Sequence, residues 1–144
     1  MKNEVFLDTS YALALSVRND NLHLRAIHLA ELLEAAVTSL VTTQAVILEI
    51  GNSLSRQRYR QASVRLLNSL STDPNIEIVP LSEQLYTQVQ LYCSRADKEW
   101  GLVDCVSFIV MQERGITQAL TGDEHFQQAG FRALLIEDLP ISLF

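Results

Sequence analysis

The chain has 144 residues, 48% of them hydrophobic and 19% charged, which suits one globular domain with a sizeable core and excludes a disordered chain. A net charge of −6 and an isoelectric point near 4.9 argue against a protein that coats nucleic acid by general basicity, but leave room for an enzyme that grips one at a local patch. No apolar run approaches a membrane span, and the opening MKNEVFLDTS lacks the apolar core of a signal peptide, so a soluble cytoplasmic protein is expected.

In chain order, "EVFLD" reads as a short buried strand ending in an acid, and "TSYALALSV" as a helix. "NDNLHLRAIHLAELLEAAV" opens with capping residues at 19–21 and carries Leu22, Ala26, Leu29, Leu33 and Ala36 at helical spacing. "TSLVTT" is a β-branched strand, and "QAVILEIGNSLSR" and "QRYRQASVRLLNSLS" read as two helices, the first weakened by Gly51. After the turn "STDPN" comes the strand "IEIVPL", closed by Pro80. Ser82 is a plausible N-cap for the helix "SEQLYTQVQLYCSRA". "DKEWG" is a loop, "LVDCVSFIVMQERG" a largely buried helix ended by Gly115, and "ITQALTGD" a strand and loop. "EHFQQAG" is a short helix and "FRALLIE" a last strand. Strands alternate with helices, so the class is α/β with a mostly parallel sheet, in a single domain over residues 1–144. Cys93 and Cys105 are not in a C-x-x-C arrangement and are expected as small buried hydrophobes rather than a disulfide or zinc pair.

Four acids stand out because each lies beside apolar sequence. Asp8 ends the first strand, Glu49 sits in an apolar helix, Asp104 lies near the start of the most apolar helix, and Asp123 follows the "QALT" strand. In an open α/β sheet, ligands bind outside the carboxyl ends of the strands, and Asp8 and Asp123 fall at two such ends. Four converging carboxylates repel one another unless a cation joins them. All-oxygen ligands select hard ions such as Mg2+ or Mn2+ over zinc, an arrangement suited to metal-assisted phosphodiester hydrolysis. Each acid alone is read more simply as a helix cap or ion-pair partner; as a set of four, they are read as a site. Glu31, Glu34, Asp97 and Glu99 lie on polar faces or loops and are expected in solvent.

The segments "VFLDTSYALAL", "ILEIGNSL", "WGLVDCVSFIVMQERGI" and "ALTGDEHFQQAGF" resemble, in order and spacing, the four acidic motifs of PIN-domain ribonucleases, with the nearest likeness to VapC-type toxins of toxin–antitoxin pairs. D-T-S and the final T-G-D-x-x-F are the most specific parts. The resemblance implies a three-layer α/β/α sandwich and a Mg2+- or Mn2+-dependent endoribonuclease acting on RNA. It also implies a small antitoxin protein as partner and a homodimer. Carried over by position, Asp8, Glu49, Asp104 and Asp123 are the metal-binding and catalytic acids. Ser10 and Thr121 are supporting polar groups, and Asn52 shares the helix face of Glu49. The chain departs from many relatives in having Gly101 and Val103 where they carry hydroxyl residues, which opens the question of what surrounds Asp104.

"SRQRYRQASVR" holds Arg56, Arg58, Arg60 and Arg65. It reads as a solvated helix face, as a phosphate-gripping patch for RNA with Tyr59 available for stacking, or as an anchor for an acidic partner. His23 and His28 are expected exposed on the second helix; His125, two residues past Asp123, could approach a substrate, but is expected at the surface. Receiver domains and aspartate-nucleophile phosphatases also place acids at strand ends, but they set a lysine against the phosphoryl group. Lys2 and Lys98 are the only lysines, and neither is at a strand end. The remaining rival is a non-catalytic metal- or RNA-binding regulatory module of the same fold.

Overall fold

The computed structural model describes residues 3–92, 94 and 99–138. Five strands, β1 (Glu4–Leu7), β2 (Ser39–Thr43), β3 (Ile76–Val79), β4 (Gln118–Leu120) and β5 (Arg132–Ala133), form one sheet in the order β3-β2-β1-β4-β5. Every pairing is parallel. Among the described residues seven helices flank it: α1 (Thr9–Ser16), α2 (His23–Ala35), α3 (Gln44–Ser53), α4 (Arg60–Thr72), α5 (Glu83–Tyr92), α6 (Leu102–Arg114) and α7 (Glu124–Gln128). Helix α1 packs on α2, α3 and α4; α6 packs on α5, α7 and α3. A parallel sheet covered on both faces needs strands apolar on both faces. Val5, Phe6 and Leu7 of β1 meet that need, each buried.

The strand order positions the site. The chain builds outward from β1 through β2 to β3, then returns to the other side of β1 for β4 and β5. The reversal leaves a crevice at the carboxyl ends of β1 and β4, the topological switch point at which open α/β sheets take their ligands. The Asp8 amide donates to the Leu120 carbonyl (3.2 Å) and holds the two strand ends together.

The helices start and stop largely where the sequence directs. Ser82 accepts from the Leu85 amide as the cap of α5 (3.1 Å), and Gly115 ends α6 in the left-handed region at φ 67°. Ala26, Leu29 and Leu33 are the buried stripe of α2. The last strand is shorter than "FRALLIE" predicts: regular pairing covers only Arg132 and Ala133, and residues 134–136 form a turn whose Leu134 and Leu135 amides still donate to the Ala119 and Thr121 carbonyls. Leu134 and Leu135 are nevertheless buried, so their apolar character reflects core packing, which periodicity cannot distinguish from pairing in so short a run. Cys105, expected as a free buried thiol, is disulfide-bonded; Cys93 lies outside the described residues. Apolar flanks mark burial equally for a thiol and for a bridge, which is why the sequence pointed the wrong way. No helix among the described residues is long and apolar enough to cross a membrane.

Candidate active site

Asp8 occupies the N-cap position of α1, yet its carboxylate makes no capping hydrogen bond. It points instead into the β1/β4 crevice, where Oδ2 accepts from Thr121 Oγ1 (2.7 Å) and Ser10 Oγ (3.3 Å). Ser10 and Thr121 are 3.2 Å apart. Each hydroxyl is held by backbone: Ser10 Oγ accepts from the Gly122 amide (2.9 Å) and Thr121 Oγ1 from the Asp123 amide (3.0 Å). Asp8 is 4% exposed, and burial pushes its carboxyl up to about 6, against the pull of the Thr121 hydroxyl and the Thr9 amide; repulsion from Asp104 and Glu49 adds to the rise.

Thr43 caps α3 by accepting from the Val46 amide (3.1 Å). That helix buries Ala45, Val46 and Ile50 and so carries Glu49 to the edge of the core. Glu49 Oε1 accepts from Thr9 Oγ1 at 2.5 Å. Asp104 lies in the first turn of α6. Four residues on, Phe108 anchors the helix, fully buried against the rings of Phe126 and Phe131. Asp104 is raised above the usual carboxylate range, chiefly by burial and also by repulsion from Asp123, despite its bond to His125.

Asp123 caps α7, with Oδ1 accepting from the His125 amide (2.8 Å). The simpler reading of this acid, as a helix cap, therefore holds, and the cap leaves its second oxygen unused. His125 Nδ1 lies 3.0 Å from Asp104 Oδ2 and 3.4 Å from Asp123 Oδ1. Its pKa is raised, first by the hydrogen bond to Asp104. One donor atom each from Asp104, Asp123 and His125 lie within 4.8 Å of one another.

The structure therefore brings Asp8, Asp104, Asp123 and Glu49 to one edge of the sheet, with Ser10 and Thr121 bonded to Asp8. Asn52 is exposed and lines a groove with Glu49. Two polar groups make contacts with the acids that the sequence reading did not assign. His125, expected at the surface although its place two residues past Asp123 allowed an approach to the substrate, sits between Asp104 and Asp123. Thr9 holds Glu49; its signal is the first hydroxyl of D-T-S. His23, also expected exposed, is half-buried and its Nδ1 lies 2.6 Å from the Ala14 carbonyl. Arg56, Arg58, Arg60 and Arg65 are all exposed, with Arg58 stacked over the Tyr59 ring at 4.7 Å.

The donor set suits a divalent cation. Oxygen donors predominate, burial raises the Asp8 carboxyl, and among the described residues His125 is the only basic side chain within ion-pair distance of the four acids. Such a cluster at the switch point of a parallel sheet defines a class, the α/β domains with an acidic centre at the carboxyl ends of their strands. Within it, the PIN domain family matches residues 5–132, and the chain belongs to that family. It is 32% identical over 129 residues to the 23S rRNA-specific endonuclease VapC20 of Mycobacterium tuberculosis, a match covering 88% of this chain and 95% of that one. The crystal structure of VapC20, described as a sarcin–ricin-loop-cleaving toxin, superposes with a TM-score of 0.78 at 27% identity, over the same 88% and 95%. The structure of VapBC2 from Rickettsia felis, bound to a DNA fragment from its promoter, gives 0.66 at 13% identity over 90% and 96%; this last likeness is one of fold.

Proposed function

We propose that the protein is a metal-dependent endoribonuclease that hydrolyses RNA phosphodiester bonds as the toxin of a toxin–antitoxin pair. The observation that carries this reading is the buried Asp8 carboxylate, which is turned away from capping α1 and into the crevice by Thr121 and Ser10, where Asp104 and Glu49 repel it. The relationship to VapC20, which cleaves 23S rRNA, supports RNA as the substrate class. In this reading Asp8, Glu49, Asp104 and Asp123 hold Mg2+ or Mn2+, which would supply an acidified water and positive charge for the phosphate undergoing attack.

The chain's own residues do the positioning. Ser10 and Thr121 fix the rotamer of Asp8, Thr9 fixes that of Glu49, and His125 spans Asp104 and Asp123. Loss of protons from Asp8 and Asp104 makes the set competent for a cation, so both binding and cleavage rise with pH. Arg56, Arg58 and Arg60 lie just beyond α3, the helix of Glu49. They are read as contacts to RNA phosphates flanking the cut. A groove of about 430 Å³ beside Glu49 is lined by Leu48, Leu81, Tyr86 and Leu102, all exposed. An apolar surface of this kind supports a protein partner, an antitoxin or a second copy of the chain. The test is incubation of metal-free protein with total RNA. Cleavage that appears with Mn2+ or Mg2+ and stops with chelator is expected. Intact RNA with either ion, from folded protein free of antitoxin, contradicts the reading and favours a non-catalytic module.

A further inference from the structure

We infer that His125 is a nitrogen ligand of the metal site, and that this chain therefore takes Mn2+ in preference to Mg2+. The inference rests on the metal site proposed above and adds to it the one side chain there that is not an oxygen donor. The geometry is fixed from behind. Phe126, the next residue, is fully buried with its ring 4.9 Å from Phe108 and 6.3 Å from Phe6. The His125 amide is tied to Asp123 Oδ1 at 2.8 Å. Helix α7 thus cannot roll without pulling Phe126 from the core, and position 125 is held over the crevice.

Asp104, on α6, is anchored by the same Phe108. The two elements that carry Asp104 and His125 are therefore locked together by one aromatic contact, and Nδ1 reaches both Asp104 (3.0 Å) and Asp123 (3.4 Å). With the donor atoms of the three side chains within 4.8 Å of one another, a cation that takes one oxygen from each acid lies within reach of the imidazole. The consequence is selectivity. Mg2+ favours oxygen donors and releases water reluctantly. Mn2+ stands at the weak end of the first-row series for imidazole sites, but as a transition ion it takes a nitrogen ligand more readily than the harder Mg2+. The alternative is that His125 only orients Asp104 through a hydrogen bond and never touches the ion.

Pulsed electron paramagnetic resonance of the untagged protein loaded with Mn2+ separates the two without relying on activity. A directly bound imidazole gives 14N modulation of the Mn2+ echo. We expect that modulation in the parent and its loss in His125→Gln. Calorimetry should show Mn2+ affinity falling by at least the roughly tenfold that removal of even an outer partner costs, with Mg2+ affinity changed much less. Mn2+ bound without 14N modulation overturns the inference and leaves a carboxylate-only metal site standing. Modulation that persists in His125→Gln, or equal losses for Mn2+ and Mg2+, also overturns it. No Mn2+ bound to folded parent protein overturns both this inference and the metal site beneath it.

Discussion

Asp8 is the most confined of the four acids, and its confinement has a measurable sign. Burial lifts its carboxyl from 3.8 to about 6, so the folded protein keeps this proton at pH values where the unfolded chain has released it. Stability is then greatest below the unfolded pKa and is lost as pH rises through the folded one. The full difference corresponds to about 3 kcal/mol, of which about 1 kcal/mol falls between pH 5 and 7.5. His125, also raised, acts in the same sense, contributing stability that is fully present below its unfolded value of 6.5 and is lost as pH rises through its raised folded value. Metal-free protein should therefore melt a few degrees higher at pH 5 than at pH 7.5, and Asp8→Asn should flatten much of that slope while raising the melting temperature at pH 7.5. A parent that melts alike at both values, or a mutant with the parent's slope, removes the buried-carboxylate account. At this scale the convergence of the acids was legible only from the set, because each alone, beside apolar residues, reads as a helix cap or ion-pair partner. His125 and Thr9 were not, because their roles arise from contacts between segments 21 and 40 residues apart.

Two helices end in the same backbone motif with different residues at its critical position. After α6, the Ile116 amide bonds the Met111 carbonyl and Gly115 takes the left-handed conformation at φ 67°. After α2, the Thr38 amide bonds the Leu33 carbonyl, the Val37 amide bonds the Glu34 carbonyl, and Val37 has φ 51°. This second case is a Schellman cap with a β-branched residue where glycine is favoured. The left-handed region costs a residue with a Cβ about 1–2 kcal/mol, part of which glycine's greater unfolded-state freedom offsets. Val37 is 74% exposed and loses little packing on truncation. Val37→Gly should thus raise the denaturant midpoint by an amount equivalent to about 0.5–1 kcal/mol with an unchanged slope. A lower midpoint would show that the valine side chain makes a contact outweighing the strain. The end of α6 was legible from its glycine; the end of α2 was not, since nothing in "LEAAVTS" marks a left-handed residue.

For the molecule as a whole, alternation of strands and helices was sufficient to give the class, but not the order of strands. The switch point follows from the return of the chain across β1, and it is this return that brings Asp8 beside Thr121, 113 residues apart in sequence. The core and the site then share elements without sharing functions. Asp104 and Phe108 stand one turn apart on α6, one half-buried in the crevice and the other fully buried among rings. The most direct test of the central claim, that these acids form a centre for cutting RNA, is a paired measurement on the two residues: melting without metal, and cleavage of RNA with Mg2+ or Mn2+. Asp104→Asn is predicted to melt at or above the parent, because it relieves repulsion within the cluster, and to lose cleavage by a large factor. Phe108→Ala is predicted to lose about 3–5 kcal/mol of stability. An Asp104→Asn protein that cleaves like the parent, or that unfolds as Phe108→Ala should, would make Asp104 a structural residue and contradict the account.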